Sequence, residues 1–167
     1  MAQNLAAKLK NLSRESKKRD DREAAMQDIE KLDFSIVLKE LLLTMLYLGE
    51  GFKKIRSAVA LGNSDPRILG AFVKLLRDIY KVADFRLRCY LYLRADQNPE
   101  KEKRFWSKVL KISATQFRKS QVDKRTLGKK TWKGYHGVCA VYCYDARIEK
   151  RLTVLQEVLL EKLLMGV

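Results

Sequence analysis

The 167-residue chain is 47% hydrophobic and 33% charged, a composition typical of a folded protein rather than a disordered one. Its 35 lysines and arginines outnumber its 20 acidic residues, which gives a formal net charge of +15. Because such a surplus repels itself in a compact fold, it indicates a polyanionic partner such as DNA, RNA or an anionic membrane surface. No apolar run approaches the roughly 20 residues of a membrane span, so we expect a cytoplasmic, nucleoid-associated protein with no membrane partner.

The scarcity of cysteine and histidine limits the metal chemistry open to the chain. Cys89, Cys139 and Cys143 show no CxxC spacing and are predicted to be reduced thiols. A single histidine, His136, excludes zinc-finger ligation and a two-histidine nuclease centre within one chain. Any metal would therefore have to be held by carboxylates.

The chain divides by composition into two parts. Residues 1–33 are polar and dense in charges of both signs, which predicts a charged helical N-terminal arm. Residues 34–167 are predicted to form one domain, beginning with a helix that Asp33 or Ser35 caps and that runs through Gly49. That helix is apolar on nearly all sides, and a second subunit is a natural source of cover for it.

The remaining elements alternate between strands and helices. Two capped starts, at residues 64–66 and 98–100, each place proline in the first turn of a helix. The first of these helices is predicted to run to about Tyr80, and a third covers residues 146–164. Strands are predicted at residues 56–61, 85–95, 116–124 and 137–144. Together these elements predict an α+β fold, with a mainly antiparallel sheet and helices packed on one face.

The strand at residues 85–95 is the most informative segment, because side chains alternate between the two faces of a strand. Its apolar set points inward: Phe85, Leu87, Cys89, Leu91 and Leu93. Its outward set contains no acid: Arg86, Arg88, Tyr90, Tyr92 and Arg94. The last strand adds His136, Tyr142 and Tyr144 to the outward face. Guanidinium groups pair with phosphates or guanine edges, so this face predicts nucleic-acid binding, the alternative being an ordinary exposed face.

A basic stretch between the two late strands extends the predicted surface. It contains Arg118, Lys119, Lys124, Arg125, Lys129, Lys130 and Lys133, with Asp123 as its one acid. A solvated charged loop is common, but together with the basic sheet face this loop favours contact along a duplex groove.

The end of the first domain helix resembles a known family motif. Residues 43–51 read LTMLYLGEG, residues 63–66 read NSDP and residues 104–106 read RFW. This pattern resembles the LAGLIDADG homing endonucleases and their stand-alone prokaryotic relatives, over about residues 35–160. The chain departs from the motif at Tyr47, Leu48 and Gly49, where the family usually has isoleucine, an acid and alanine.

The resemblance implies a saddle-like sheet and a homodimer formed through the 35–50 helix, because the chain carries one motif. It implies sequence-specific binding of double-stranded DNA and metal-dependent phosphodiester cleavage as a homing-type endonuclease. Glu50 matches the family's catalytic acid, so the implied magnesium would lie at Glu50 and the adjacent Gly49. Lys53 and Lys54 would support catalysis or hold phosphates.

Other functions fit the same residues. Some relatives keep the fold as DNA-binding transcription regulators without cleaving, and Glu50 separates that alternative from a nuclease. An RNA-binding or intron-splicing factor would instead use Tyr90 and Tyr92 to stack unpaired bases. A role at a membrane surface is disfavoured, because the basic residues follow strand alternation rather than the face of an amphipathic helix.

Overall fold

The computed structural model describes residues 2–166, with side chains described from residue 7 onward. The chain forms two compact units, of which the first ends at Leu38 and the second begins at Lys39. Helix α1, Ala2–Glu30, makes up most of the first unit. Its described side chains are exposed, except for a half-buried Ser16.

The second unit contains four helices and four strands. Its helices are α2, Ile36–Glu50, which begins just inside the first unit; α3, Pro66–Tyr80; α4, Pro99–Leu110; and α5, Ala146–Met165. Its strands are β1, Val59–Asn63; β2, Leu87–Arg94; β3, Gln121–Asp123; and β4, Val138–Cys143. The order across the sheet is β1-β4-β2-β3.

The predicted α+β class is confirmed, but the sheet is mixed. Strand β4 pairs antiparallel with both β1 and β2, whereas β3 pairs parallel with β2. The predicted strand at residues 116–124 is shorter than expected, because one-turn 3-10 helices at Ala114–Gln116 and Lys124–Thr126 leave only three extended residues between them.

Both predicted helix starts are confirmed by their caps. The Asp65 carboxylate accepts a hydrogen bond from the backbone N–H of Arg67, and the Asn98 side chain accepts one from Lys101. In each helix proline occupies the first turn, where its missing N–H costs no hydrogen bond. These caps fix where α3 and α4 begin.

The core lies on one side of the sheet. Four of the five predicted inward residues of β2 are fully buried or nearly so: Leu87, Cys89, Leu91 and Leu93. Helices α2 to α5 cover them, with Phe72 of α3 and Trp106 of α4 the largest fully buried side chains.

Phe85 is the exception, since its side chain is 67% exposed where burial was predicted. Asp84–Arg86 form a 3-10 turn, so the strand begins at Leu87 and its alternation does not extend back to Phe85. A large apolar residue is thus left in solvent at the start of β2.

Across residues 2–166, none of the helices combines the length and the apolar composition needed to cross a membrane.

Candidate nucleic-acid interface

The sheet surface opposite the helices is here called the open face. It is formed by the outward residues of β2 and β4: Arg88, Tyr90, Tyr92, Arg94 and Tyr142. The register places Arg88 opposite Tyr142 and Tyr90 opposite Ala140. Tyr92 is exposed and the other four are half-buried, so this face meets solvent.

Aromatic rings pack together on one part of the open face. The ring centres of Tyr90 and Tyr142 lie 5.0 Å apart in an edge-to-face arrangement, and Phe52 lies 6.0 Å from Tyr142. Phe52 was not predicted to belong to this surface. The residue that makes room for Phe52 is Gly62 in β1, where an added Cβ would lie 2.7 Å from the Phe52 ring. A larger residue at position 62 would therefore displace Phe52.

Arg88 is held in place by neutral acceptors. Its guanidinium donates to the carbonyl oxygens of Phe85 and Leu87, each at 2.7 Å, and to the side-chain oxygen of Gln116. Because none of these acceptors carries a charge, the guanidinium is oriented while its positive charge remains uncompensated.

Arg94 is held in a comparable way at the other end of β2. Its Nε donates to the Thr131 hydroxyl at 2.9 Å, and its Cζ lies 5.5 Å from the ring centre of Trp132. The nearby carboxylates have other partners, since Asp96 is bonded to Thr131 and Asp123 to Arg125. The pKa of each carboxyl is lowered chiefly by that partner, with Arg94 contributing least.

Acidic residues are absent from most of the sheet. Strands β1, β2 and β4 contain no aspartate or glutamate. Among the residues whose side chains are described, no ion pair includes Arg88, Arg94 or Arg118. The open face is therefore positive, with Asp96 and Asp123 offsetting part of the charge of Arg94, and a positive face favours an anionic ligand.

Arg86 differs from these arginines. It was predicted as an outward strand residue, but it lies in the 3-10 turn and its guanidinium is 3.1 Å from the Asp145 carboxylate. Asp145 is only 7% exposed, and its hydrogen bond from Arg147 holds the pKa of its carboxyl below the usual range. The charge of Arg86 is thus partly neutralised.

The basic loop, residues 124–135, carries most of the other predicted contacts. Lys124, Arg125, Lys129, Lys130 and Lys133 are all exposed there, as are Lys119 and Arg118 in the preceding segment. Arg125 is paired with Asp123, its Nε lying 2.9 Å from the carboxylate, so its charge is partly balanced. The four lysines extend the positive surface beyond the end of β2.

Several hydrogen bonds fix this loop to the folded core. The Asp96 carboxylate accepts from the backbone N–H of Thr131 at 2.6 Å, and the Gln97 amide donates to the carbonyl of Tyr135 at 2.9 Å. The indole N–H of Trp106 donates to the carbonyl of His136 at 2.8 Å. The lysines are therefore presented by an ordered backbone rather than by a free loop.

Trp132 is the functional candidate that sequence reasoning missed. Its side chain is 59% exposed at the surface of the basic loop, and Tyr135 lies against it with 4.3 Å between ring centres. A tryptophan between Lys130 and Lys133 is the sequence signal that could have indicated it, because tryptophan is enriched at binding interfaces.

His136 does not lie on the open face, contrary to prediction. Its Nδ1 is 2.7 Å from the Glu102 carboxylate and its ring stacks on Phe105, both residues of α4. The alternation of β4 begins only at Val138, because Gly137 has a left-handed φ of 71° that breaks the extended backbone. His136 therefore helps attach the loop to the helical side.

Glu50 ends α2 and is exposed, as is Gly49 before it. One Glu50 carboxylate oxygen accepts a hydrogen bond from the Asn63 amide at 3.1 Å, which places the carboxylate at the end of β1. The next residue, Gly51, is sterically required, since an added Cβ would lie 2.4 Å from the carbonyl oxygen of Tyr47. The backbone thus turns sharply just after Glu50.

The two lysines that follow differ in their surroundings. The Lys53 ammonium donates to the Tyr47 carbonyl and lies 4.1 Å from the centre of its ring. Burial lowers the pKa of this amine, and the interaction caps the end of α2. Lys54 is exposed to solvent.

The residues around Glu50 do not by themselves fit a magnesium ion. Within the described part of the chain, no group of three or more histidine, cysteine, aspartate or glutamate residues could hold a metal. Magnesium usually keeps several waters and is held by one or two carboxylates together with substrate phosphates, and Glu50 contributes one carboxylate. Other ligands would have to complete the octahedral geometry of the ion.

Comparisons of the chain with models of known protein families, with characterised proteins and with solved structures found no match. The functional interpretation therefore depends on the geometry and charge of the residues described above.

Proposed function

We propose that this chain binds double-stranded DNA in a sequence-specific manner through its open face and basic loop. The observation that carries the proposal is the presence of two arginines, Arg88 and Arg94, oriented by neutral groups on a sheet whose central strands contain no acid. Arg86 and Arg147, by contrast, are both paired with the Asp145 carboxylate. Uncompensated guanidinium groups instead suit phosphate oxygens or guanine edges.

Duplex DNA suits the shape of this surface. The eight residues of β2 extend over about 26 Å, and sheet proteins can place strands along a groove of a DNA duplex. The deep, narrow major groove of duplex RNA is not accessible to side chains in this way. Of the two tyrosines that the RNA alternative would use, Tyr90 packs edge-to-face against Tyr142, whereas Tyr92 is exposed, so one ring rather than two is open to a splayed RNA base. These points favour DNA over the RNA-binding alternative.

We further propose a homodimer formed through α2, on a LAGLIDADG-like scaffold with a saddle-like sheet. Support comes from two apolar residues of α2 that remain in solvent, Leu42 at 43% exposure and Met45 at 45%. A second copy of the helix would cover them and give a surface suited to a nearly palindromic site.

The proposal is tested by measuring duplex binding as salt is varied. With roughly six phosphate contacts, the affinity of the protein for a short duplex is expected to fall about a thousandfold between about 50 and 200 mM salt. Fluorescence anisotropy of a labelled duplex measures the affinity at each salt concentration. Unlabelled duplex DNA and structured RNA of equal length serve as the competitors. A salt-independent affinity, or stronger competition by RNA than by DNA, would contradict the proposal.

Metal-dependent cleavage is the second candidate, and the exposure of the Glu50 carboxylate at the end of α2 is what favours it. The remaining metal ligands would come from water, from the DNA phosphates or from a second chain. If the candidate is correct, we expect Glu50→Gln to abolish magnesium-dependent nicking of a bound duplex while its affinity in calcium is retained. Asn63→Ala serves as the matched control, because it removes the amide that donates to Glu50 and leaves the carboxylate in place. Intact DNA after incubation with the wild-type protein would leave binding as the sole function.

A further inference from the structure

A shallow basin with a volume of about 350 Å³ opens on the surface at the start of β2. Its lining combines arginines and aromatic residues and contains no acid: Phe85, Arg86, Arg88, Tyr90, Arg118 and Tyr144. The volume is at the lower end of the range for small-ligand sites, so the basin admits a single nucleotide but not a helix.

The positive charge of the basin is largely uncompensated. Arg88 is bonded only to neutral oxygens, and Arg118 makes no ion pair with any residue whose side chain is described. The Arg118 backbone is fixed, since its N–H donates to the carbonyl of Cys89 at 2.9 Å. Two acids adjoin the lining and both are paired: Asp145, which is 7% exposed, is bonded to Arg86 and Arg147, and Asp84, next to Phe85, is paired with Arg77. An anionic group can therefore approach two free guanidinium groups from solvent.

The aromatic residues of the basin are unusually exposed. Phe85 is 67% exposed and Tyr144 is 46% exposed, in contrast to the half-buried Tyr90. Exposure of a phenylalanine ring forgoes the free energy that its burial would contribute, and a flat ligand stacked on it would recover that contribution. Burial and a hydrogen bond to Tyr90 raise the pKa of the Tyr144 hydroxyl.

We propose that this basin binds one unpaired nucleotide of a DNA strand, with the base stacked on Phe85 or Tyr144 and its phosphate held by Arg88 and Arg118. This inference rests on the proposed DNA binding and deepens it, since it assigns the preferred substrate as a duplex that contains an extrahelical nucleotide. Aromatic rings bind unstacked bases through their faces, whereas paired bases inside a duplex keep those faces covered. The open face contacts the paired part, and the basin lies at one end of it.

The test compares two duplexes that are identical except for one unpaired adenine in the middle of the second. We expect the full-length protein to bind the bulged duplex about tenfold more tightly, as measured by fluorescence anisotropy at low salt. Phe85→Ala should remove most of that preference while changing the affinity for the paired duplex by less than about twofold. Because Phe85 is exposed and outside the core, this variant is expected to fold normally.

Two control variants define the role of the ring. Phe85→Trp keeps a stacking surface and should retain the preference. Phe34→Ala removes a phenylalanine that is 44% exposed outside the basin, and it should leave the preference unchanged.

Each result bears on one of the two proposals. Equal, salt-sensitive affinity of the wild-type protein for both duplexes would overturn the basin assignment and leave DNA binding intact. Absence of binding to either duplex would instead overturn the proposed function, and the basin assignment with it. Deoxyadenosine 5′-monophosphate serves as a competitor: if low concentrations abolish the preference, the ligand is a free nucleotide and the assignment to a DNA strand is wrong.

Discussion

Replacement of both Arg88 and Arg94 by glutamine is expected to weaken duplex binding about tenfold or more at about 50 mM salt and to reduce the salt dependence. If each arginine contacts one phosphate, the slope of log affinity against log salt should become less steep by about 2. Glutamine keeps a hydrogen-bonding group of moderate length but removes the charge. The effect should be large because, among the residues whose side chains are described, neither arginine forms an ion pair.

The matched control for this double variant is Arg67→Gln. The Arg67 side chain is 89% exposed, and its guanidinium is paired with Asp65 at 2.6 Å beside the start of α3. Its loss removes a charge that is already balanced and lies off the open face, so duplex affinity should change little. Thermal unfolding followed by circular dichroism checks the fold, because Arg88 also donates to backbone carbonyls. Because Arg67→Gln removes one charge and the double variant removes two, half the logarithmic loss of affinity in Arg67→Gln would show that net charge, rather than the open face, controls binding.

The two tryptophans are expected to have separate effects. Trp106→Ala should lower the free energy of unfolding by about 3–5 kcal/mol, which is a large share of the total for a domain of this size. Trp106 is fully buried, so its removal leaves a cavity, and it also leaves the His136 carbonyl without its indole donor. Urea unfolding followed by circular dichroism measures the change.

Trp132→Ala should change the free energy of unfolding by less than about 0.5 kcal/mol, because the side chain is 59% exposed. It should nevertheless weaken duplex binding, since the indole packs against the Arg94 guanidinium and lies on the basic loop. Trp106→Phe provides the intermediate case, with most of the packing retained and the hydrogen bond lost. Comparable destabilisation by Trp106→Ala and Trp132→Ala would contradict this division.

Local features of the fold could be predicted from short segments. Asp65 and Asn98 cap their helices because each side chain bonds to a backbone N–H within the next three residues. The inward positions from Leu87 to Leu93 follow from the strand period alone. The basic character of the open face follows from the same alternation, because Arg88 and Arg94 lie on the same face of β2 and that face contains no acid.

The composition of the candidate site could be predicted only in part. Arg88, Tyr90, Tyr92 and Arg94 do share one face, as alternation requires. Phe52 and Trp132 were missed, because they join the surface through contacts with Tyr142 and Arg94, which are distant in sequence. The surroundings of Glu50 could not be predicted either, since its hydrogen-bond partner Asn63 belongs to another element, β1.

The sequence by itself determined the basic charge, the helix starts and the alternation of β2, since each depends on the covalent order of a few residues. Only the tertiary structure decided which charges are free. Arg86, in the turn that precedes β2, pairs with Asp145 at the start of α5, whereas Arg88 donates to carbonyl and amide oxygens. Only the tertiary structure turned His136 toward Glu102 and left Phe85 in solvent. The reason is that neutralisation and burial depend on groups far apart in the chain, and the packing of helices and strands brings those groups together.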